Sequence, residues 1–195
     1  MEESKKYKNL IFDVGGVIFD DSKDNMKKVV GEGYDQIYKK AYGKGFKECL
    51  LGNKKVSELI EDLKDDELYE KLKYVLSYEN LNVSYPIIKE NFLYIKTLKD
   101  NYDMYLLTNI TEDSYNYINS VIDIDSIFKG GIYSYQDGIS KPDPEIYNLL
   151  LNRYNLKKEE CIFFDDKEKN VDAANKLGIK SVVFKSLDDL KNNIK

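Results

Sequence analysis

The chain has 195 residues, of which 42% are hydrophobic and 33% are charged, and its net charge is −5. This is the composition of an ordinary globular protein, and the acidic balance argues against nucleic acid as a partner, because binding a phosphate backbone requires a basic face. The sequence has no histidine, which excludes Ser-His and Cys-His nucleophile pairs and histidine metal sites. Any chemistry must therefore use carboxylates, lysine, hydroxyl groups or the backbone.

The apolar runs have the length of strands and fall well short of the roughly 18 residues of a membrane span. No charged-then-apolar leader precedes Leu10, so we expect a cytoplasmic location without membrane association. The two cysteines, Cys49 and Cys161, are more typical of structural thiols than of a disulfide. We expect a monomer or a small homo-oligomer.

Strand and helix patterns alternate along most of the chain. A buried strand is predicted over residues 8–13, followed by helical spacing of apolar residues from about 22 to about 85. Further strands are predicted at 104–107, 131–135, 161–164 and 181–184, with helices ending near 98, over 112–121, from 143 and over 168–177. This rhythm indicates βαβ units and a parallel sheet. We predict an α/β fold with its core over 1–20 and 86–195 and a small helical cap over 21–85, inserted after the first strand.

Three of the predicted strands are followed by polar residues, at Asp13, at Thr108-Asn109 and at Asp165-Asp166. The carboxyl ends of parallel strands share one edge of the sheet, where ligands bind, so these side chains are expected to converge. Carboxylates and a hydroxyl group in one crevice are typical of a magnesium-dependent phosphoryl-transfer site.

Each segment alone also has a plain structural interpretation. Asp13 can end a strand in a glycine turn, and Thr108 or Asn109 can cap the following helix. Lys141, which can bring an ammonium group to the same edge, can equally be a surface residue. A site is favoured because the adjacent acids after the strand at 161–164 would repel each other unless a cation or a lysine compensates them. A hard divalent ion does this economically.

Four motifs, in this order along the chain, resemble those of the haloacid-dehalogenase-like hydrolase superfamily. They are Phe12-Asp13-Val14-Gly15-Gly16-Val17, Leu107-Thr108-Asn109, Lys141-Pro142 and Phe163-Phe164-Asp165-Asp166, with Asn170 downstream. The stretch 133–178 looks closest to a subgroup of small sugar-phosphate phosphatases that includes α-glucose-1-phosphate phosphatase. The resemblance implies a Rossmann-like catalytic core, a helical cap and a magnesium cofactor.

The resemblance also implies the activity of a magnesium-dependent phosphatase that acts on a small phosphorylated metabolite, a sugar phosphate. Asp13 becomes the nucleophile that forms an aspartyl-phosphate, and Lys141 steadies it. Thr108 and Asn109, together with Lys141, bind the transferring phosphoryl group.

The metal ligands implied by the resemblance are Asp13, the main-chain carbonyl of Gly15 and Asp166, with Asp165 supporting Asp166. The sequence leaves open which acid of the 165–166 pair binds the metal directly.

The chain departs from the family's pattern at Gly15, where its phosphatases usually have an aspartate that protonates the leaving group. A positioned proton donor contributes about 10²–10⁴-fold, so its absence is expected to slow the cleavage of poor leaving groups most. Anomeric and acyl phosphates would suit such a site, and an aspartate at this position should help alkyl esters if the geometry permits. Asp20 and Asp21 are candidate surrogate acids, or else they begin the first cap helix or lie in solvent.

Substrate choice is expected to belong to the cap, where Tyr42, Lys44 and Phe46 are candidates to face the crevice, with core or solvent positions as the alternatives. Two other functions are consistent with the same fold. One is a metal-free 2-haloacid dehalogenase with Asp13 as carbon nucleophile, against which the paired acids argue. The other is a protein that binds phosphate and magnesium without catalysis.

Overall fold

A five-stranded parallel sheet lies at the centre of the computed structural model, which describes residues 6–194. The strands are β1 (Asn9–Phe12), β2 (Asp103–Thr108), β3 (Gly130–Tyr133), β4 (Cys161–Asp165) and β5 (Lys180–Val183). Their order is β3-β2-β1-β4-β5, and each neighbouring pair is parallel. The order switches direction beside β1, and a crevice outside the carboxyl ends at such a point is where open sheets bind ligands. The predicted α/β, Rossmann-like fold is confirmed.

Between β1 and residue 85 the chain forms six short helices and one 3₁₀ turn. They are α1 (Lys23–Val30), α2 (Tyr34–Ala41), α3 (Lys44–Leu50), α4 (Val56–Asp62), α5 (Tyr69–Leu76) and α6 (Leu81–Ser84), with the 3₁₀ turn at Tyr78–Asn80. Their apolar side chains form a core of their own, which includes Ile37, Leu72 and Val75. We propose that these helices are the cap, and the division at 21–85 remains a prediction. Residues 1–5 and 195 of the predicted core ranges lie outside the described residues.

The remaining helices cover the two faces of the sheet. They are α7 (Lys89–Thr97), α8 (Glu112–Val121), α9 (Ser134–Asp137), α10 (Pro144–Arg153), α11 (Glu168–Lys176) and α12 (Leu187–Asn193), with a 3₁₀ turn at Lys158–Glu160. Because side chains alternate along a strand, Leu10 and Phe12 pack under α7, α8 and α12, whereas Ile11 packs under α10 and α11. Both faces are therefore buried, which explains why the strands are continuous apolar runs.

The third strand is shorter than predicted. β3 ends at Tyr133, and the next residues form the short helix α9 instead of continuing the strand to 135. The buried hydroxyl of Ser134 accepts a hydrogen bond from the N–H of Ile110 at 2.9 Å, which draws the chain towards the end of β2. Gly138, with φ 69°, ends this helix in a left-handed conformation.

Both cysteines, Cys49 and Cys161, are buried free thiols, as predicted. Over residues 6–194, every helix is too short or too polar to cross a bilayer.

Candidate active site

The ends of β1, β2 and β4 meet at one edge of the sheet. Phe12 of β1 is level with Phe164 of β4, and the N–H of Asp13 donates to the Phe164 carbonyl at 2.9 Å. Thr108 ends β2 and Asp165 ends β4 at the same edge. The parallel register thus brings together side chains that lie about 50 to 150 residues apart in the sequence.

Lys141 joins these strand ends. Its ammonium nitrogen lies 2.9 Å from Oδ1 of Asp13 and 2.7 Å from Oδ2 of Asp165, and it donates to the Leu107 carbonyl at 2.7 Å. The side chain is only 1% exposed. Since a lysine ammonium has three donors, these contacts use all of them and hold the charge in one position.

The three charged groups shift one another's protonation. Burial raises the pKa of Asp13 to about 8, and the negative charges of Asp165 and Asp166 act in the same direction. The positive charge of Lys141 opposes this increase only in part. Burial lowers the pKa of Lys141, but the two carboxylates outweigh it and leave that pKa above its ordinary value. Burial likewise opposes ionisation of Asp165, but contacts with Lys141 and other donors hold its pKa below the ordinary value. A cation bound here would favour ionised Asp13, the form that a nucleophile needs.

Asn109 holds the backbone of Lys141. Its Nδ2 donates to the Lys141 carbonyl at 2.9 Å, and its Oδ1 accepts from the Lys141 N–H at 2.8 Å. The chain after Lys141 is fixed as predicted, with Asp143 accepting from the Glu145 N–H at 3.0 Å and Pro144 in the first turn of α10. Asn109 therefore positions Lys141, and both ends of its amide are engaged in doing so.

Neither Thr108 nor Asn109 caps the following helix. That role belongs to Thr111, whose side chain accepts a hydrogen bond from the Ser114 N–H at 3.2 Å at the start of α8. Thr108 is 1% exposed at the end of β2. The simple structural interpretation of these two residues as helix caps is thus wrong.

The adjacent acids Asp165 and Asp166 have different surroundings. Asp165 is fully buried and accepts hydrogen bonds on both oxygens, from the Lys167 N–H at 2.8 Å and from Asn170 Nδ2 at 3.0 Å, besides its ion pair with Lys141. Asp166 pairs through Oδ2 with the Lys167 ammonium at 2.6 Å, while its buried Oδ1 has no hydrogen-bond partner within residues 6–194. Asp166 Oδ1 is therefore the oxygen available to a cation.

The site fits a hard divalent ion. Asp13, Asp165 and Asp166 each offer a carboxylate oxygen, and these oxygens lie within 4.8 Å of one another. An all-oxygen donor set is typical of magnesium or calcium. Gly16, at φ 70°, leaves room for this arrangement, because a Cβ there would overlap the Asp166 carboxylate. Lysines already face both members of the acid pair, and Lys167, which the sequence analysis did not include, is one of them.

The two surrogate-acid candidates have different positions. Oδ1 of Asp20 accepts from the Ser22 N–H at 2.8 Å and so forms the turn before α1. Asp21 lines the cavity with Asp13, and its Oδ2 would lie 2.8 Å from a Cβ built on Gly15. Of the two acids, Asp21 therefore faces the site.

A cavity of about 430 Å³ separates the sheet edge from the cap helices. On the core side it is lined by Asp13, Gly15, Asn109 and Lys141. Apolar and aromatic side chains dominate the cap side, namely Met26, Tyr38, Tyr42, Phe46, Leu50, Val56, Val75, Leu76 and Leu81. Tyr42 and Phe46 line the cavity as predicted. Lys44 has the solvent position that was its alternative, and Lys47 is the lysine that the same helix places at the cavity.

Tyr85, Lys167 and Asn170 also line the cavity. Among these three residues, only Asn170 belongs to the motifs that carry the resemblance. Asn170 follows Asp165 by five residues at the start of α11, a spacing that could have indicated a contact with the strand end. No comparable signal marks Tyr85, which comes from the far end of the predicted cap.

Residues 7–178 match the family model of haloacid dehalogenase-like hydrolases, and the chain belongs to this family. Over 199 aligned residues it is 28% identical to a phosphorylated carbohydrates phosphatase of Thermotoga maritima, covering 93% of this chain and 88% of the relative. A sesquiterpene phosphatase of Aspergillus oryzae is 33% identical over 76 residues, which is 39% of either chain.

The fold is also that of a solved structure, a haloacid dehalogenase family enzyme of Bacteroides thetaiotaomicron in complex with magnesium and inorganic phosphate. The TM-score is 0.75 at 20% identity, and the match covers 97% of this chain and all of that one.

Proposed function

We propose that this hydrolase is a magnesium-dependent phosphatase that transfers the phosphoryl group of a small metabolite to Asp13 and then to water. The observation that carries the proposal is the pairing of Asp13 with the buried Lys141 at 2.9 Å, beside the unpartnered Oδ1 of Asp166. A carboxylate, a fixed ammonium group and an open cation ligand are the components that phosphoryl transfer requires.

Asp13 acts as the nucleophile in this proposal. Its Oδ1 accepts from the Val14 N–H at 2.7 Å and pairs with Lys141, so we assign the attack on phosphorus to Oδ2. Thr108 holds the phosphoryl oxygens, the charge of Lys141 attracts them while its three donors stay engaged, and Asn109 acts through the backbone of Lys141. Because the ammonium group is already fixed, little reorganisation is needed as charge moves in the transition state.

Asp13, the Gly15 carbonyl and Asp166 would hold magnesium, and Asp165 would orient the site through Lys141. When bound, magnesium offsets the negative charge of the phosphoryl oxygens and of the carboxylates. The charge balance supports this, since within residues 6–194 the ion pairs of Asp13, Asp21, Asp165 and Asp166 at 4.0 Å or less are made with two ammonium groups, those of Lys141 and Lys167.

A sugar phosphate is the first candidate substrate. The similarity to the phosphorylated carbohydrates phosphatase extends over 93% of this chain and supports a phosphorylated carbohydrate. Tyr38 and Tyr42 at the cavity provide both ring faces and hydroxyl groups for a sugar.

An aryl or terpenoid phosphate is the second candidate, favoured by the cap side of the cavity. Met26, Phe46 and Leu76 offer apolar surface there rather than hydrogen-bonding groups. The partial similarity to a sesquiterpene phosphatase points the same way.

The site opposes the other two functions. A 2-haloacid is anionic, and the acidic side chains of Asp21 and Asp166 near the nucleophile would repel its carboxylate. A purely binding role leaves unexplained why Asp13 lies at the cavity wall with one oxygen fixed by Lys141.

The test is phosphate release with and without magnesium by the wild type, by Asp13→Asn and by Asp100→Asn, a control at an exposed acid. The panel holds glucose 1-phosphate, a hexose 6-phosphate, an acyl phosphate, an aryl phosphate and a prenyl phosphate, with 2-chloropropionate assayed for chloride. We expect release that requires both magnesium and Asp13, with the control variant unchanged. Chloride release without magnesium would establish the dehalogenase instead, and magnesium binding without any turnover would establish the binding protein.

A further inference from the structure

The space for a side chain at Gly15 is already taken by another residue's carboxylate. A Cβ built on Gly15 would lie 2.8 Å from Oδ2 and 3.2 Å from Cγ of Asp21, and 3.4 Å from the hydroxyl of Tyr85. Gly15 does not have the left-handed conformation of Gly16, so the backbone alone does not exclude a side chain there. Asp21 therefore presents its carboxyl group where an acid attached to residue 15 would present its own.

The chain between the two residues turns back on itself. The N–H groups of Ile18 and Phe19 donate to the Val14 carbonyl at 2.8 and 3.0 Å, and Gly16 donates to the Phe19 carbonyl at 2.8 Å. This turn returns the chain to Gly15, and two residues later Asp21 reaches the cavity. Asp21, which follows Asp13 closely in the sequence, thus lines the same cavity as Asp13.

Asp21 is accessible to a substrate. Its side chain is 40% exposed, it lines the same cavity as Asp13, and its nearest ammonium group is that of Lys167 at 3.9 Å. Asp165 and Lys141, in contrast, are almost completely buried and fully engaged. Among the acids around Gly15, Asp21 combines proximity with freedom to contact a leaving group.

We infer that Asp21 is the general acid and base of this phosphatase and replaces the carboxyl group that Gly15 lacks, an inference that rests on the proposed function. In the first step the phosphorus–oxygen bond to Asp13 forms, the bond to the leaving group breaks, and the Asp21 proton passes to the leaving-group oxygen. In the second step Asp21 takes a proton from water, whose oxygen attacks phosphorus as the bond to Asp13 breaks. Phosphate is released, and Asp21 is protonated again.

The role of Asp21 widens the range of leaving groups that the enzyme can cleave despite the glycine at position 15. With Asp21 as proton donor, the enzyme need not be limited to anomeric, acyl or aryl phosphates, whose leaving groups require little protonation. An aspartate introduced at Gly15 alone is then not expected to help alkyl esters, because it would crowd against Asp21. The Asp21 carboxyl group is the far end of a half-exposed side chain and can move aside, so the new aspartate would replace one acid by another rather than add one.

The first experiment measures kcat/KM, which reports the transfer of the phosphoryl group to Asp13, for Asp21→Asn on aryl phosphates with leaving groups of increasing pKa and on a primary alkyl phosphate. The loss should grow with leaving-group pKa, from little for the most acidic phenol to about 10²–10⁴-fold for the alkyl ester. Asp20→Asn, which removes a neighbouring charge outside the cavity, should retain the wild-type profile. A loss that is equal for every leaving group, or no loss at all, overturns the inference.

The second experiment moves the carboxyl group. Gly15→Asp combined with Asp21→Ala should recover turnover of the alkyl ester relative to Asp21→Ala, whereas Gly15→Asp alone should not exceed the wild type. Magnesium-dependent turnover of the best aryl ester by all variants shows that they are folded and that the proposed phosphatase stands. If the wild type itself releases no phosphate from any ester, the proposed function and the inference both fail, whereas an active enzyme without recovery in the double variant overturns the inference alone.

Discussion

The core side and the cap side of the cavity hold their side chains in different ways. On the core side, Lys141 uses every donor of its ammonium group, and Asp165 accepts hydrogen bonds on both oxygens. On the cap side, the rings of Tyr42 and Phe46 pack edge to face with their centroids 4.9 Å apart, and the Tyr42 hydroxyl makes long contacts, 3.4 Å to the Val75 carbonyl and 4.0 Å to the Met26 sulfur. Charges are thus held by directional contacts, whereas the cap surface is held by packing.

This difference suggests a division of labour. A buried ion pair depends on the position of every partner, because a charge left unpaired in the interior is costly. Apolar packing tolerates exchanges of shape that conserve volume. We infer that the core determines the reaction and the cap determines which organic group is accepted, and the variants below test this from the largest expected effect to the smallest.

Lys141→Met should have the largest effect. It removes the charge between two buried carboxylates, Asp13 and Asp165, and should lower the free energy of unfolding by about 3–5 kcal/mol and abolish turnover. Urea denaturation measures the first effect and phosphate release the second. Lys129→Met removes one partner of an exposed ion pair with Asp103 and should leave both near the wild type. Equal stability of the two variants would show that the buried ion pairs of Lys141 contribute no more to folding than the exposed ion pair of Lys129.

Asp166→Ala separates cation binding from stability. Within the described part of the chain Asp166 Oδ1 has no hydrogen-bond partner, so its loss should weaken magnesium binding by at least about 10- to 100-fold. That range is typical of residues that orient metal ligands without binding the metal themselves. Calorimetric titration with magnesium measures this directly, without reference to turnover. Asp20→Asn is the control, because it removes the charge of another nearby acid, and it should bind magnesium as the wild type does. If both bind equally, the cation is not held by Asp166.

The sheet and its edge are predictable because they depend on local patterns. Apolar runs that end at Asp13, Thr108 and Asp165 define parallel strands, and the topology of such a sheet then brings their ends together. The distinction between Asp165 and its neighbour is not predictable in this way. It depends on the contacts of Lys167 and Asn170, which only the three-dimensional arrangement of α11 provides.

The cap side was harder to predict for a physical reason. Helical spacing shows that a residue lies on one face of a helix, but it does not show whether that face meets the cap's own core or the cavity. Lys44 and Lys47 illustrate this, since both lie in α3 and only Lys47 reaches the cavity. The position of Asp21 beside Gly15 likewise depends on the turn over residues 14–19, which apolar spacing does not reveal.

Asn109→Ala should have an intermediate effect. It removes two hydrogen bonds that hold the backbone of Lys141 and should destabilise the protein by about 1–2 kcal/mol. We expect kcat to fall while magnesium affinity is unchanged, because Asn109 positions the ammonium group without touching the cation ligands. Asn53→Ala, which removes an exposed hydrogen bond to Glu48, is the control. A change in magnesium affinity alone would contradict this role.

Phe46→Ala should have the smallest effect and the most selective one. It removes part of the apolar cap surface, so KM should rise by about two- to tenfold for an ester whose organic group contacts the ring. Inhibition by inorganic phosphate should not change, because in the proposed function phosphate is held by residues of the core side. Leu93→Ala, at a side chain that is 62% exposed, is the control. Weaker phosphate inhibition would contradict the division of labour, because it would place the cap in contact with the phosphoryl group.

The same variant distinguishes the two candidate substrate classes. The substrate whose KM rises more, an aryl phosphate or a hexose phosphate, is the one whose organic group packs on the Phe46 ring.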